Sequence, residues 1–412
     1  MSTLAVSSDA ATRQAPDAVA PPPGNPRFPL FDGLRAIAAL SIVVTHCSGL
    51  TGFNQDNPLG ALTARLDAGV ALFFVMSGFL LYRPFLAARF EGRRPRIRDY
   101  ARRRLLRIVP AYWAALTVLG LTVGLSGVFT SHWWVYYGFA QVYFPDWVLG
   151  GIGPAWSLCV EMSFYLALPF FAVAMARIGR KQTRAQMIRT ELSVLVTLGV
   201  LSLAVRAWSD AHPGSVLNNT LLGYADWFAV GMGLALASAA AHGREQEHLL
   251  ARTVASRPWI PWMLAAACFL LAASPWLDLP RAIVPATGVH ALIQHVLYVT
   301  VGGLLVLPAI FGDPHRGLVR RFLALRAMTW LRLISYGVFL WHAPLMIHVW
   351  EKGATGVLPG LPFVSLLLVT AGCAVACAAL SYFVVEKPIL RFKDRRRPSR
   401  PPEAVPAPAN AG

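Results

Sequence analysis

Charge is scarce in this chain: Asp, Glu, Lys and Arg make up 14% of its 412 residues, where an ordinary soluble domain carries about a quarter. With 56% of positions hydrophobic, there is too little polar surface to enclose a water-soluble core, and that class is excluded. Acidic side chains are scarcer still, 20 against 37 Lys and Arg, for a formal charge of +17. Cysteine is limited to five residues, all in or beside apolar runs and none in a CxxC pair. That provides neither a disulfide framework nor a zinc site, and no metal is expected. No internal repeat recurs at a fixed period. Residues 1–29 lack the apolar core of a cleavable signal, and their Pro, Ala and polar content predicts a disordered cytoplasmic tail. Residues 393–412 form a similar basic, Pro-rich tail, which leaves 30–392 as one membrane domain and predicts no second folded domain at either end.

What the chain has in quantity is apolar runs of about 17 to 25 residues, each long enough to cross a ~30 Å hydrocarbon layer as a helix. About ten are present, over roughly 30–50, 66–84, 105–124, 155–176, 191–208, 218–238, 259–275, 290–311, 333–350 and 361–384. The seventh is the weakest, being bracketed by Pro261 and Pro275. Basic residues alternate between the connecting loops: about 32 fall on one side and about 4 on the other. Lys and Arg resist translocation, so both termini are expected in the cytoplasm. The fold class is therefore all-α, a polytopic bundle embedded in the lipid bilayer of the plasma (inner) membrane. Basic clusters that recur at helix ends, rather than forming one patch, also exclude a nucleic-acid partner.

Ionisable groups inside apolar spans are expensive, and those present are candidates for function. Helix one carries Asp32, Arg35 and His46. Eleven residues at ~100° and ~1.5 Å each return Arg35 and His46 to within about 20° of one face and about 16 Å apart, so both can line one lumen. Asp32 suits a helix cap or a partner for Arg35. A neutral imidazole can take a proton from an alcohol near pH 7, or it can be a hydrogen-bonded packing residue. Glu161, about two turns into helix four, is expected at a depth close to that of His46. It needs a partner, for which either His46 or an arginine is suitable: as a catalytic group it would orient the imidazole and stabilise its charged form, and otherwise it is an interhelical tie. Arg104 and Arg107 share a face at the entrance of helix three, where paired guanidiniums fit the phosphates of a nucleotide-bearing donor or anionic lipid headgroups. Eight aromatic residues between Trp133 and Trp147 suit either a sugar surface or membrane-interface anchoring.

Six blocks carry a family resemblance: DGLRAIAALSIVVTH, GVALFFVMSGFLLYRPF, RRRLLRIVPAYW, WSLCVEMSFYLALP, LRLISYGVFLWHAPL and FVVEKPILR, in that order from about residue 31 to 391. Together they resemble the acyltransferase-3 family of integral membrane O-acyltransferases. The resemblance implies transfer of an acyl group, most often acetyl from acetyl-CoA, to a hydroxyl of a sugar, polysaccharide, glycolipid or antibiotic-type acceptor. By this resemblance His46 matches the essential histidine, Arg35 the helix-one arginine, and Arg104 with Arg107 the paired arginines. Glu161 matches the acidic residue of the Trp-Ser-Leu block. Val70-Ala71 and Met162-Ser163 depart from the family's more polar pattern.

The resulting expectation is an acyl-CoA donor bound from inside by Arg35, Arg104 and Arg107, and an acceptor hydroxyl deprotonated by His46. Ser77 and Tyr336, the latter beside Ser335, are candidate supporting groups for an oxyanion or plain interhelical hydrogen bonds. His342 suits acceptor contact or a structural hydrogen bond. Acyl transfer through Cys47 is disfavoured, because adjacent helical residues point about 100° apart and His46 would not activate it. The competing class is a transporter or flippase of a lipid-linked or carbohydrate substrate, which should show paired broken helices in two corresponding halves. The sequence contains no such correspondence, and it specifies no oligomeric state.

Overall fold

In the computed structural model the described residues are 28–93, 95–241, 249–281, 286–314 and 316–394. The two expected tails lie almost wholly outside them. Among the described residues the structure is helical, with no strand. Ten principal helices follow the expected runs: α1 Leu30–Leu50, α2 Gly69–Phe90, α3 Ile97–Thr122, α4 Trp156–Ile178, α5 Arg184–Asp210, α6 Leu221–Ala241, α7 Trp259–Ala273, α8 Gly288–Ile310, α9 Arg326–Glu351 and α10 Pro362–Ser381. Nine helices among the described residues are long and apolar enough to cross a membrane, one fewer than the sequence suggested. The exception is α7, whose 15 residues span ~22 Å. Pro258 stands at its start, and Ser274, in extended conformation before Pro275, stops it.

Several helices outrun their apolar windows. The second continues to Phe90, the third starts at Ile97, and the fifth starts at Arg184. Arginine is a good helix former, and its stem can lie along apolar surface, so the basic turns extend the helices instead of interrupting them. At α5 the start is fixed by a capping box, in which the Gln186 backbone N–H donates to the Thr183 hydroxyl and the Thr183 N–H donates to the Gln186 side chain.

The centre of the bundle is α2, most of whose residues are buried. Between membrane helices there is little hydrophobic drive to associate, and close backbone approach at small residues takes its place. Gly78 and Gly231 provide it here: a Cβ at Gly78 would stand 2.3 Å from the Phe228 carbonyl oxygen, and one at Gly231 would stand 2.1 Å from that of Val75. Around this contact Phe74 stacks on Phe228 at 4.7 Å and Phe31 on Phe79 at 5.1 Å. The large apolar side chains on the outside of the bundle, such as Leu121, Leu166, Phe170 and Val200, are exposed, as lipid-facing positions should be.

The first and ninth helices begin at the same face of the bundle, where the Asp32 carboxylate pairs with Arg332 at 3.1 Å. This corrects the expected role of Asp32. It sits inside the first turn of α1, which has no side-chain cap; its close ion pair is with Arg332 of α9, while Arg35 three residues on acts on its charge from farther away. The reason is tertiary: packing of α9 against α1 brings the Arg332 guanidinium within reach of the carboxylate.

Candidate active site

A cavity of about 760 Å³, including its solvent-open part, lies among α1, α2, α3, α4 and α9. One wall is basic, with Arg35 from α1 and Arg104 and Arg107 from successive turns of α3. Across from them α4 contributes Ser157, Glu161 and Tyr165, which share a face because they are spaced four apart. The floor is α2 with Phe73, Phe74 and Ser77, and α9 closes the side with Ser335, Tyr336 and Phe339. From residue 157 to 165 the cavity follows α4 for about 12 Å.

Glu161 is fully provided for. The Ser77 hydroxyl donates to its Oε1 at 2.7 Å and the Tyr165 hydroxyl to its Oε2 at 2.9 Å, while Arg35 and Arg104 act on its charge. The arginines are not. Among the described residues, Arg35, Arg104 and Arg107 have no hydrogen-bond or ion-pair partner, although all three are half-buried. Three guanidiniums and one carboxylate line the cavity, an excess of positive charge that Asp32 and Glu386, acting on Arg35 and Arg107 from outside the lining, offset in part. Such a surplus inside a membrane domain is unfavourable unless an anion occupies it.

His46 does not line this cavity. Its Nδ1 lies 2.9 Å from Nε2 of His342, a residue 296 positions away in sequence. The two ring planes are within 5° of parallel with centroids 5.1 Å apart. Rings that far apart whose nearest nitrogens are in hydrogen-bond contact lie edge to edge, not face to face. Phe339 stands between the two regions: it lines the cavity, and its ring is 5.9 Å from that of His342 and 6.4 Å from that of Phe73.

The expected depth of Glu161 is thus corrected. Its hydrogen bond to Ser77, close to the Phe79 that stacks on Phe31, puts it at the level of Arg35, and the carboxylate does not orient His46. Counting turns from each helix end misjudged the depth because the helices start at different heights. The other supporting candidates also have partners. Tyr336 donates to the Ile108 carbonyl at 3.0 Å and Ser335 to that of Arg332 at 3.0 Å, so with Ser77 engaged by Glu161 none of these hydroxyls is directed at an oxyanion. Cys47 is buried. In the aromatic segment Tyr136 is a core residue wedged against Gly127, Gly150 and Gly151, whereas Trp133, Trp134 and Tyr143 are exposed.

Sequence reasoning did not single out Tyr165, although its four-residue spacing from Glu161 was a readable signal. It also passed over Asp226 and His295, ionisable residues inside apolar spans. These pair at 2.8 Å, with Ser202 donating to the carboxylate at 2.9 Å and Trp227 stacked on the imidazole at 4.5 Å. In this second cluster the carboxylate and the imidazole satisfy each other, and their contacts tie α5, α6 and α8 together.

A helical membrane bundle with an arginine-lined cavity among five of its helices, and a histidine pair beyond that cavity, defines the class: a polytopic membrane domain with ionisable groups inside its apolar spans. The chain belongs to the acyltransferase-3 family, whose acyltransferase domain matches residues 29–382. It is similar to the putative peptidoglycan O-acetyltransferase YrhL of Bacillus subtilis, with 27% identity over 88% of this chain and 55% of the relative. It is also similar to the O-acetyltransferase OatA of Staphylococcus aureus, at 23% identity over 89% of this chain and 58% of the relative. The peptidoglycan O-acetyltransferase OatA of Listeria monocytogenes is 22% identical over 77% of this chain and 49% of the relative. The chain thus spans about half the length of the curated relatives it matches. No solved structure matches it.

Proposed function

We propose that this chain moves an acyl group, most simply acetyl, from acyl-CoA bound at the arginine-rich face to a hydroxyl on a cell-envelope glycan, with His46 as general base. The observation that carries the reading is the set of three guanidiniums without partners around one cavity. Their planar forks suit the phosphates of a coenzyme A, which would supply the missing negative charge. The names of the relatives point to peptidoglycan as the acceptor class. The density of basic residues at the face where α1 and α9 begin supports placing that face, and both termini, in the cytoplasm.

Arg35 and His46 are about 16 Å apart along α1, a distance that an extended pantetheine arm is suited to span. Its charged end would stay among the arginines, while the thioester would pass Phe73 and Phe339 to reach the imidazole. There the acceptor oxygen attacks the thioester carbonyl as its proton moves to His46. The C–S bond breaks, and the departing thiolate recovers that proton.

Sealed vesicles of known orientation provide the test. Radiolabelled acetyl-CoA is supplied to one face at a time, with wild type and His46→Ala compared at equal amounts of folded protein. Transfer or thioester turnover is expected only with donor at the arginine-rich face, and is expected to be lost in His46→Ala. Turnover that survives the substitution, or that depends on donor at the opposite face, would overturn the proposal.

A further inference from the structure

We infer that His342 is a positioning residue that sets the hydrogen of His46 on Nδ1 and leaves its Nε2 as the basic lone pair. This rests on the reading of His46 as the general base.

The assignment follows from counting hydrogens along a short chain of contacts. Nδ1 of His342 lies 2.7 Å from the Phe339 carbonyl oxygen and 3.1 Å from that of Val338. Carbonyl oxygens only accept, so this nitrogen must carry the hydrogen. A neutral imidazole has one ring hydrogen, so Nε2 of His342 is an acceptor. The 2.9 Å contact to His46 is then donated by Nδ1–H of His46, which places the lone pair of that ring on Nε2. Among the described residues Nε2 of His46 has no hydrogen-bond partner, and His46 is only half-buried, whereas His342 is fully buried.

The arrangement does for His46 what a carboxylate does in other base-orienting pairs, with a neutral partner instead. When His46 accepts the acceptor's proton at Nε2, its Nδ1–H bond to His342 becomes charge-assisted and stronger. The positive charge stays on the accessible ring, because moving it to His342 would place a cation on a ring with no solvent contact. His342 itself is held by its own helix, one turn below on α9. The partner of His46 is therefore set by packing and not by titration.

The test compares His342→Gln with His342→Phe. A glutamine can accept from Nδ1–H of His46 through its amide oxygen while its amide nitrogen donates to the helix carbonyl, whereas phenylalanine fills space only. The Phe variant should lose on the order of 10–100-fold in kcat with little change in the donor KM, and the Gln variant should recover most of that loss. Adding His342→Phe to His46→Ala should cost nothing further, because a positioning residue acts through the base. A wild-type kcat in the Phe variant, a Gln variant no better than Phe, or an additive double variant would overturn the inference. Activity retained in His46→Ala alone would instead overturn the reading of His46 as base. Should the Phe variant not fold, 15N NMR of histidine-labelled protein decides, with His46→Ala used to assign the signals. An unprotonated Nε2 on neutral His46 is the expected result, and a protonated one refutes the assignment.

Discussion

Replacing Arg104 with alanine removes one of three guanidiniums from the cavity wall and leaves the Glu161 carboxylate hydrogen-bonded to Ser77 and Tyr165. The guanidiniums lining the cavity fall from three to two, against one lining carboxylate. A hydrogen bond to a charged group is worth about 1.5–3 kcal/mol, so coenzyme A should bind about tenfold to 150-fold more weakly. Arg103, the next residue along, is exposed and does not line the cavity, and Arg103→Ala should weaken binding by no more than about threefold. The assay is equilibrium binding of coenzyme A to protein in nanodiscs at several salt concentrations. Acetyl-pantetheine, which lacks the nucleotide and its phosphates, serves as the control. Wild type should bind coenzyme A less tightly as salt rises, while acetyl-pantetheine should not distinguish wild type from Arg104→Ala. Equal losses in Arg103→Ala and Arg104→Ala, or no loss in either, would refute the assignment of the phosphate site.

Ser77→Ala should lower stability by about 1–3 kcal/mol, read as a lower thermal-unfolding midpoint in detergent, because Glu161 Oε1 loses its donor; an unchanged midpoint would show the bond to be dispensable. Gly231→Leu should prevent assembly of a monodisperse protein, since even a Cβ would meet the Val75 carbonyl of α2 at 2.1 Å. Size-exclusion chromatography of the purified variant checks this, and a well-behaved peak would mean that α2 and α6 can separate at little cost.

Periodicity and hydropathy were enough to locate the helices, because each apolar run must satisfy its own backbone inside the bilayer. The same one-dimensional logic placed Arg35 and His46 on a single helix and Arg104 with Arg107 on another. It did not extend to partners. Glu161 lies at the height of Arg35 because α2 and α4 are staggered relative to α1, and no helical wheel contains that stagger. His46 meets His342 across 296 residues, a contact that only the packing of α1 against α9 creates. Asp32 was read as local to α1, yet Arg332 reaches it from another helix. In each case spacing within a helix was legible, while the pairing between helices required their relative height and rotation.

The rings of Phe73 and Phe339, between the arginine cavity and the histidines, bear on a problem unrelated to chemistry. A membrane protein with a cationic vestibule and ionisable groups beyond it risks becoming a leak, and each elementary charge crossing a 100 mV potential releases ~2.3 kcal/mol. Two neighbouring phenyl rings, 6.4 Å apart with that of Phe339 5.9 Å from His342, form a barrier that has no group able to relay a proton. Its tightness is therefore measurable as proton conductance of the resting protein, independently of any product formed.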